Sequence, residues 1–133
     1  MVNNSANETL AAWETSSHYW NKYQALIEQM FAPLSRGLID EAQIVLGQKV
    51  LDVGGGSGEP SLTIASVVGE SGAVTYTDPA AGMVKAAQAE AERRGLRNIE
   101  FHQCPAEQLP FSDDTDETRC FAILCVPPPL AQL

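Results

Sequence analysis

The sequence predicts an α/β fold: a partial, doubly wound parallel sheet of about four strands, preceded by N-terminal helices. Three observations predict it. Short apolar runs alternate with stretches of helical periodicity, as crossover connections between parallel strands require. The first of these runs breaks directly into a glycine cluster, Gly54-Gly55-Gly56-Ser57-Gly58. The length of 133 residues and the 44% apolar composition suffice for one small core.

The elements follow in order. Residues 1–8 are polar and read as a frayed tail. From about 9 to 31, Trp13, Trp20, Tyr23, Ile27, Met30 and Phe31 recur at helical spacing. Pro33 suits the first turn of a second helix, with Leu34, Leu38, Ile39 and Ala42 on one side and Gly47 closing the section. Residues 1–47 thus form a helical segment and 48–133 the sheet domain. Lys49-Val50-Leu51-Asp52-Val53 reads as a buried strand entering a tight turn. Leu62, Ile64, Ala65 and Val68 mark a helix that Gly69 and Gly72 end. Val74-Thr75-Tyr76-Thr77 is a β-rich run ending at Asp78. Residues 80–95, with Met83, Val84, Ala87 and Ala91, are helical and stop at Gly95. Ile99-Glu100-Phe101-His102 alternates as a third strand. Residues 121–126 form a fourth apolar run, stopped by Pro127-Pro128-Pro129 because proline supplies no ladder donor.

Charge and cysteine usage exclude some classes. The net charge is −9, with no basic stripe to displace counterions from a duplex or to meet an anionic membrane. No nucleic acid and no membrane is therefore expected as a partner. No apolar stretch reaches the length of a membrane span, and residues 1–8 lack the apolar segment of a secretory leader. Cys104, Cys120 and Cys125 are odd in number and irregular in spacing, which suits a cytoplasmic protein with reduced thiols. Neither His18 nor His102 stands at a finger spacing from them, so no metal site is expected.

In an open parallel sheet, ligands lie beyond the carboxyl ends of the strands, where strand order reverses. Glycines after the first strand let backbone approach a ligand. Three ligand classes compete. A phosphate-binding loop needs Gly-Lys-Ser/Thr, and this turn ends in Gly58-Glu59-Pro60, whose acid repels phosphate. A dinucleotide fingerprint places its third glycine at position 59, which is Glu, so a nicotinamide enzyme fits poorly. S-adenosylmethionine carries no pyrophosphate and needs backbone near its methionine part and an acid for its ribose.

Residues 50–58 resemble the first motif of class I S-adenosylmethionine-dependent methyltransferases, whose fold is Rossmann-like. The resemblance implies S-adenosyl-L-methionine as cofactor. It implies that Asp52, with Gly54, Gly56 and Gly58, organises the turn near the methionine amino group. Asp78 matches the acid that accepts both ribose hydroxyls, and Met83 the residue lying against the adenine. Residues 105–111 resemble the segment bordering the adenine edge, with Ala106 and Glu107 in contact. Gly58-Glu59-Pro60 is most similar to small-molecule methyltransferases like those of quinone biosynthesis. Read without the resemblance, Asp52 is also a strand-end acid, Asp78 also suits the N-cap of the helix from 80, and Met83 is a core residue. Trp20 and Tyr23 read as packing rather than as a cofactor cover. His18 and His102 are candidate bases by residue type alone, and no catalytic base is assigned.

The chain departs from the family pattern at two places. Pro105 stands where the family has an acid for the adenine amino group, with Glu107 nearby. After Phe111 the segment 113–119 is polar throughout, and Val126-Pro127-Pro128 lacks the polar and aromatic neighbours of amino-methylating nucleic-acid enzymes. Only four of the usual seven strands are legible. The expectation is a truncated methyltransferase present as its cofactor-binding half, acting on a small-molecule methyl acceptor. The alternative is a non-catalytic S-adenosylmethionine-binding or remnant module. An exposed, apolar fourth strand would favour self-association.

Overall fold

The computed structural model describes the backbone of residues 3–111 and 118–122 and the side chains of residues 5–111. Two helices open the chain, α1 (Asn3–Lys22) and α2 (Gln24–Glu41). Then come β1 (Lys49–Val53), α3 (Ser61–Val68), β2 (Ala73–Asp78), α4 (Ala81–Arg93), β3 (Ile99–Gln103) and β4 (Thr118–Ala122). The four strands are parallel in the order β3-β2-β1-β4. The chain steps outward from β1 to β3 and then returns to the other side of β1. That reversal is the signature of a doubly wound sheet, and it puts the turn after β1 at the switch in strand order.

The strand period of two decides which face each helix covers. Val50, Val74 and Tyr76 share one face, because Val50 pairs with Val74 and Tyr76 lies two residues on. Val50 and Val74 pack with Ile64, Ala65 and Val68 of α3 and with Ile39 and Ile44. Tyr76 packs with Val84 and Ala87 of α4. So α3, α4 and the end of α2 all cover the same face, while α1 lies across α4. Among the described residues no helix is long and apolar enough to cross a membrane.

The sheet from β1 to β3, α3 and α4 stand where the sequence puts them, and the ends of the chain differ. Residues 3–8 are helical rather than frayed, since polar composition there signals exposure, not irregularity. The joint between the first two helices is at Tyr23, ten residues before Pro33. Apolar spacing passes through Met30, Leu34 and Leu38 without a phase change, so it cannot locate that joint. Tyr23 leaves helical geometry (φ −105°, ψ 18°), although its N–H still donates to the Tyr19 carbonyl at 3.0 Å. Pro33 sits inside α2 on an exposed flank, where only one backbone bond is forfeited. Leu34, expected on the packed side, is 66% exposed; Ile39 carries the burial instead. β4 begins earlier than the apolar run suggests, with Thr118 and Arg119 paired to Lys49 and Val50. Backbone pairing with the central strand overrides the polarity of those two residues. Residues 123–126, including Cys125, lie outside the described residues.

Candidate functional site

The turn at 54–58 is built by β2 as much as by its own glycines. The N–H groups of Gly54 and Gly55 both donate to the Thr77 carbonyl at 2.9 Å. The Gly56 N–H donates to Asp78 Oδ2 at 3.0 Å. The Tyr76 hydroxyl donates to the Gly56 carbonyl. Gly55 stands against the Tyr76 ring, so a Cβ there would overlap ring carbons. Gly58 takes φ +124°, a conformation L side chains rarely adopt, and its carbonyl accepts from the Leu62 N–H at 2.9 Å. The turn therefore flows straight into α3.

Two carboxylates flank this turn. Asp52 is fully buried at the end of β1. Its Oδ2 accepts the Ser61 hydroxyl at 2.5 Å, while Oδ1 is buried without a hydrogen-bond partner. Burial pushes its carboxyl up to about 6; Ser61 partly opposes the rise, and the neighbouring Asp78 and Glu59 carboxylates add to it. Asp78 is 8% exposed, and its Oδ1 accepts the Ala80 N–H at 2.9 Å. Burial raises its carboxyl as well. The bonds from Ala80 and Gly56 oppose that rise, and the charge of Glu14 adds to it. Burial holds the Tyr76 phenol far above its ordinary range, with Asp78 and Asp52 acting in the same direction, so it stays a neutral donor.

The residues expected at the site are only partly gathered. Asp52, the glycines and Asp78 form one hydrogen-bonded unit. Met83 is buried in the first turn of α4, five residues after Asp78. Ala106 and Glu107 are exposed on the turn after β3, and Glu107 has no hydrogen-bond or ion-pair partner among the described residues. That turn does approach the unit, since the Cys104 N–H donates to the Asp78 carbonyl at 3.2 Å. Asp78 does not cap α4 as its spacing suggests. Its bond goes to Ala80, which precedes the helix, whereas the N–H groups of Ala81 and Gly82 donate to Glu14 of α1, the latter at 3.1 Å. Pattern reading missed four participants: Ser61, Tyr76, Glu14 and Arg94. Arg94 ties Glu59 at the end of the turn to α4 and α2, pairing with Glu59, Glu90 and Glu28 at 2.9 Å each. A tyrosine inside a buried strand was the available signal for Tyr76, because its hydroxyl needs a partner.

Comparison with known proteins decides the family. Residues 23–125 match the ubiE/COQ5 methyltransferase family. The chain belongs to that family. It is 41% identical over 85 residues to the aklanonic acid methyltransferase DauC of Streptomyces sp. (strain C5), matching 64% of this chain and 39% of that protein. It is 41% identical over 81 residues to the ubiquinone/menaquinone biosynthesis C-methyltransferase UbiE of Cellvibrio japonicus, matching 60% of this chain and 32% of that protein. A SAM-dependent methyltransferase from Aquifex aeolicus superposes with a TM-score of 0.60 at 30% identity, over 66% of this chain and 46% of that one. The chain thus spans about two fifths or less of the curated relatives named here. The cofactor that accompanies this family and this neighbour is S-adenosyl-L-methionine.

Proposed function

We propose that this chain binds S-adenosyl-L-methionine as the cofactor half of a methyltransferase acting on a small molecule. One observation carries the reading: a fully buried carboxylate oxygen, Asp52 Oδ1, has no donor. It stands at the root of a glycine turn whose Gly56 has open space where a Cβ would be. A buried acceptor without a donor is costly, and a cationic donor such as the cofactor's ammonium relieves that cost. Asp78 has each oxygen engaged once, which leaves acceptor capacity for two ribose hydroxyls. The acceptors therefore fit the cofactor.

In this reading Asp52 holds the ammonium, and Gly54, Gly56 and Gly58 offer backbone along the methionine part. Asp78 orients the ribose, while Met83, Ala106 and Glu107 border the adenine. When bound, the cofactor supplies an electrophilic methyl group on a sulfonium. The protein's contribution is position and the exclusion of water. The relatives DauC and UbiE, by their names, act on aklanonic acid and in quinone biosynthesis. They favour a small acceptor, with carbon, oxygen and nitrogen all open. A module that binds the cofactor without transferring methyl is the second reading.

The test is calorimetric titration with S-adenosyl-L-methionine, using Asp78→Ala as control. Saturable binding that weakens at least tenfold in the variant supports the site. A folded chain that binds nothing ends the reading. Methyl transfer to phenolic and quinol acceptors, followed with methyl-labelled cofactor, separates the enzyme from the binding module.

A further inference from the structure

Helix α4 begins three residues after Asp78, yet no side chain of its own segment caps it. The first free N–H groups of a helix need acceptors. Here they come from a distant helix. Glu14 of α1 receives the Ala81 N–H on Oε1 and the Gly82 N–H on Oε2, across 67 and 68 residues of sequence. The contact is close elsewhere too. A Cβ on Gly82 would collide with the Ser17 side chain, whose Cβ lies 2.9 Å away. Ser17 is itself buried, and its hydroxyl donates within α1 to the Glu14 carbonyl at 2.7 Å. A carboxylate and a glycine contact thus fasten α1 to the turn that carries the ribose acid.

We propose that Glu14 is a positioning residue for the cofactor site, the clasp by which α1 holds the Asp78 turn and the start of α4 in binding geometry. The proposal rests on the reading that Asp78 binds S-adenosyl-L-methionine. The clasp acts through Asp78, because Ala80 links the two: its N–H donates to Asp78, and its carbonyl accepts the N–H groups of Met83 and Val84 at 3.1 Å. Released, the first turn of α4 loses two acceptors, and Asp78 loses the fixed partner that aims it. Linkage is reciprocal, so cofactor bound at Asp78 must in turn strengthen the docking of α1.

Glu14 also places a negative charge near Asp78. Other titratable groups face Asp78: Asp52 from β1, Tyr76 from β2 and Cys104 after β3. Of these only Glu14 belongs to α1. Loss of its charge alone lowers the pH at which Asp78 takes up a proton, whereas loss of the Ala80 bond on release of the clasp raises it, and that bond is the larger influence. Release of the clasp therefore moves the acid limb of cofactor affinity to higher pH. A contact that only places charge near Asp78, without positioning it, would move the limb downward instead.

The experiment titrates S-adenosyl-L-methionine into the wild-type chain, Glu14→Gln and Gly82→Ala between pH 5 and 8, and records amide exchange of α1 with and without cofactor. Gly82→Ala keeps the charge and improves helix propensity, but puts a methyl group into Ser17. Expected are a loss of roughly fivefold or more in affinity for both variants at pH 7.5 and an acid limb moved upward in Glu14→Gln. Cofactor-induced protection of α1 should appear in wild type and be lost in Glu14→Gln. Wild-type binding with unchanged affinity and pH profile in Glu14→Gln overturns the clasp and leaves the site intact. Absence of binding by folded wild type overturns the site and the clasp with it.

Discussion

The Asp52 carboxyl sets a stability cost that can be measured directly. Burial raises it from 3.8 to about 6. A rise of that size corresponds to ~3 kcal/mol. The folded chain therefore holds this proton to a higher pH than the unfolded chain. The sign follows: the stabilising contribution is full below pH 4, declines as the pH rises from about 4 to 6, and is absent above. Asp52→Asn cannot ionise and escapes that decline. Its amide keeps an acceptor for the Ser61 hydroxyl, but leaves a buried NH2 without a partner, at a cost of ~1–3 kcal/mol at every pH. At pH 4 the variant should be the less stable protein. By pH 7 the two should be level, or the variant ahead by up to ~2 kcal/mol. Urea unfolding of both proteins at half-unit intervals from pH 4 to 8 gives the difference, in which most other titrations cancel. Repulsion from Asp78 and Glu59 is already part of that rise and is relieved with it in the variant. A difference that stays flat within about 0.5 kcal/mol across this range would show a hydrated Asp52 and refute the reasoning. The same variant should bind S-adenosyl-L-methionine far more weakly, so stability gained at neutral pH would coincide with function lost.

Tyr76→Phe removes the donor to the Gly56 carbonyl and should cost ~1–2 kcal/mol by urea unfolding, with weaker cofactor binding. Gly55→Ala drives a methyl group into the Tyr76 ring and should cost ~1–3 kcal/mol or more; an unchanged melting temperature would mean the turn and ring are not in contact. Arg94→Gln removes the ion pairs to Glu59, Glu90 and Glu28 and should cost ~1 kcal/mol at low salt, shrinking in 1 M sodium chloride. A loss that ignores salt would point to packing instead.

Short-range signals made the centre of the fold legible. The run 49–53, the glycines and the acid after β2 each reveal their structure within a few residues, and Asp52 bonds Ser61 only nine positions on. The N-terminal helices were readable as helices but not in their joint, because apolar spacing keeps phase through Pro33. The clasp of Glu14 was not legible at all. A glutamate among polar neighbours on a helix looks solvated, and only tertiary placement shows its acceptors. The same holds for Glu59 and Arg94, whose ion pair spans 35 residues. Ala106 and Glu107 were legible through resemblance alone, and both are exposed on the turn after β3.

The sheet register also orders events in time. Lys49 pairs with Ala73 and Val74 with Ile99, partners 24 and 25 residues apart by their numbers. Lys49 also pairs with Thr118, 69 residues away, and Glu14 reaches Ala81 across 67. Closing a longer loop costs more chain entropy before any contact repays it. Refolding should therefore assemble β1, α3, β2, α4 and β3 first and recruit α1 and β4 afterwards. Pulse-labelled amide exchange should find the glycine turn protected before Ala81 and Gly82. The glycine turn is then a product of the nucleus, and the contact from α1 the last part to arrive and the first to leave.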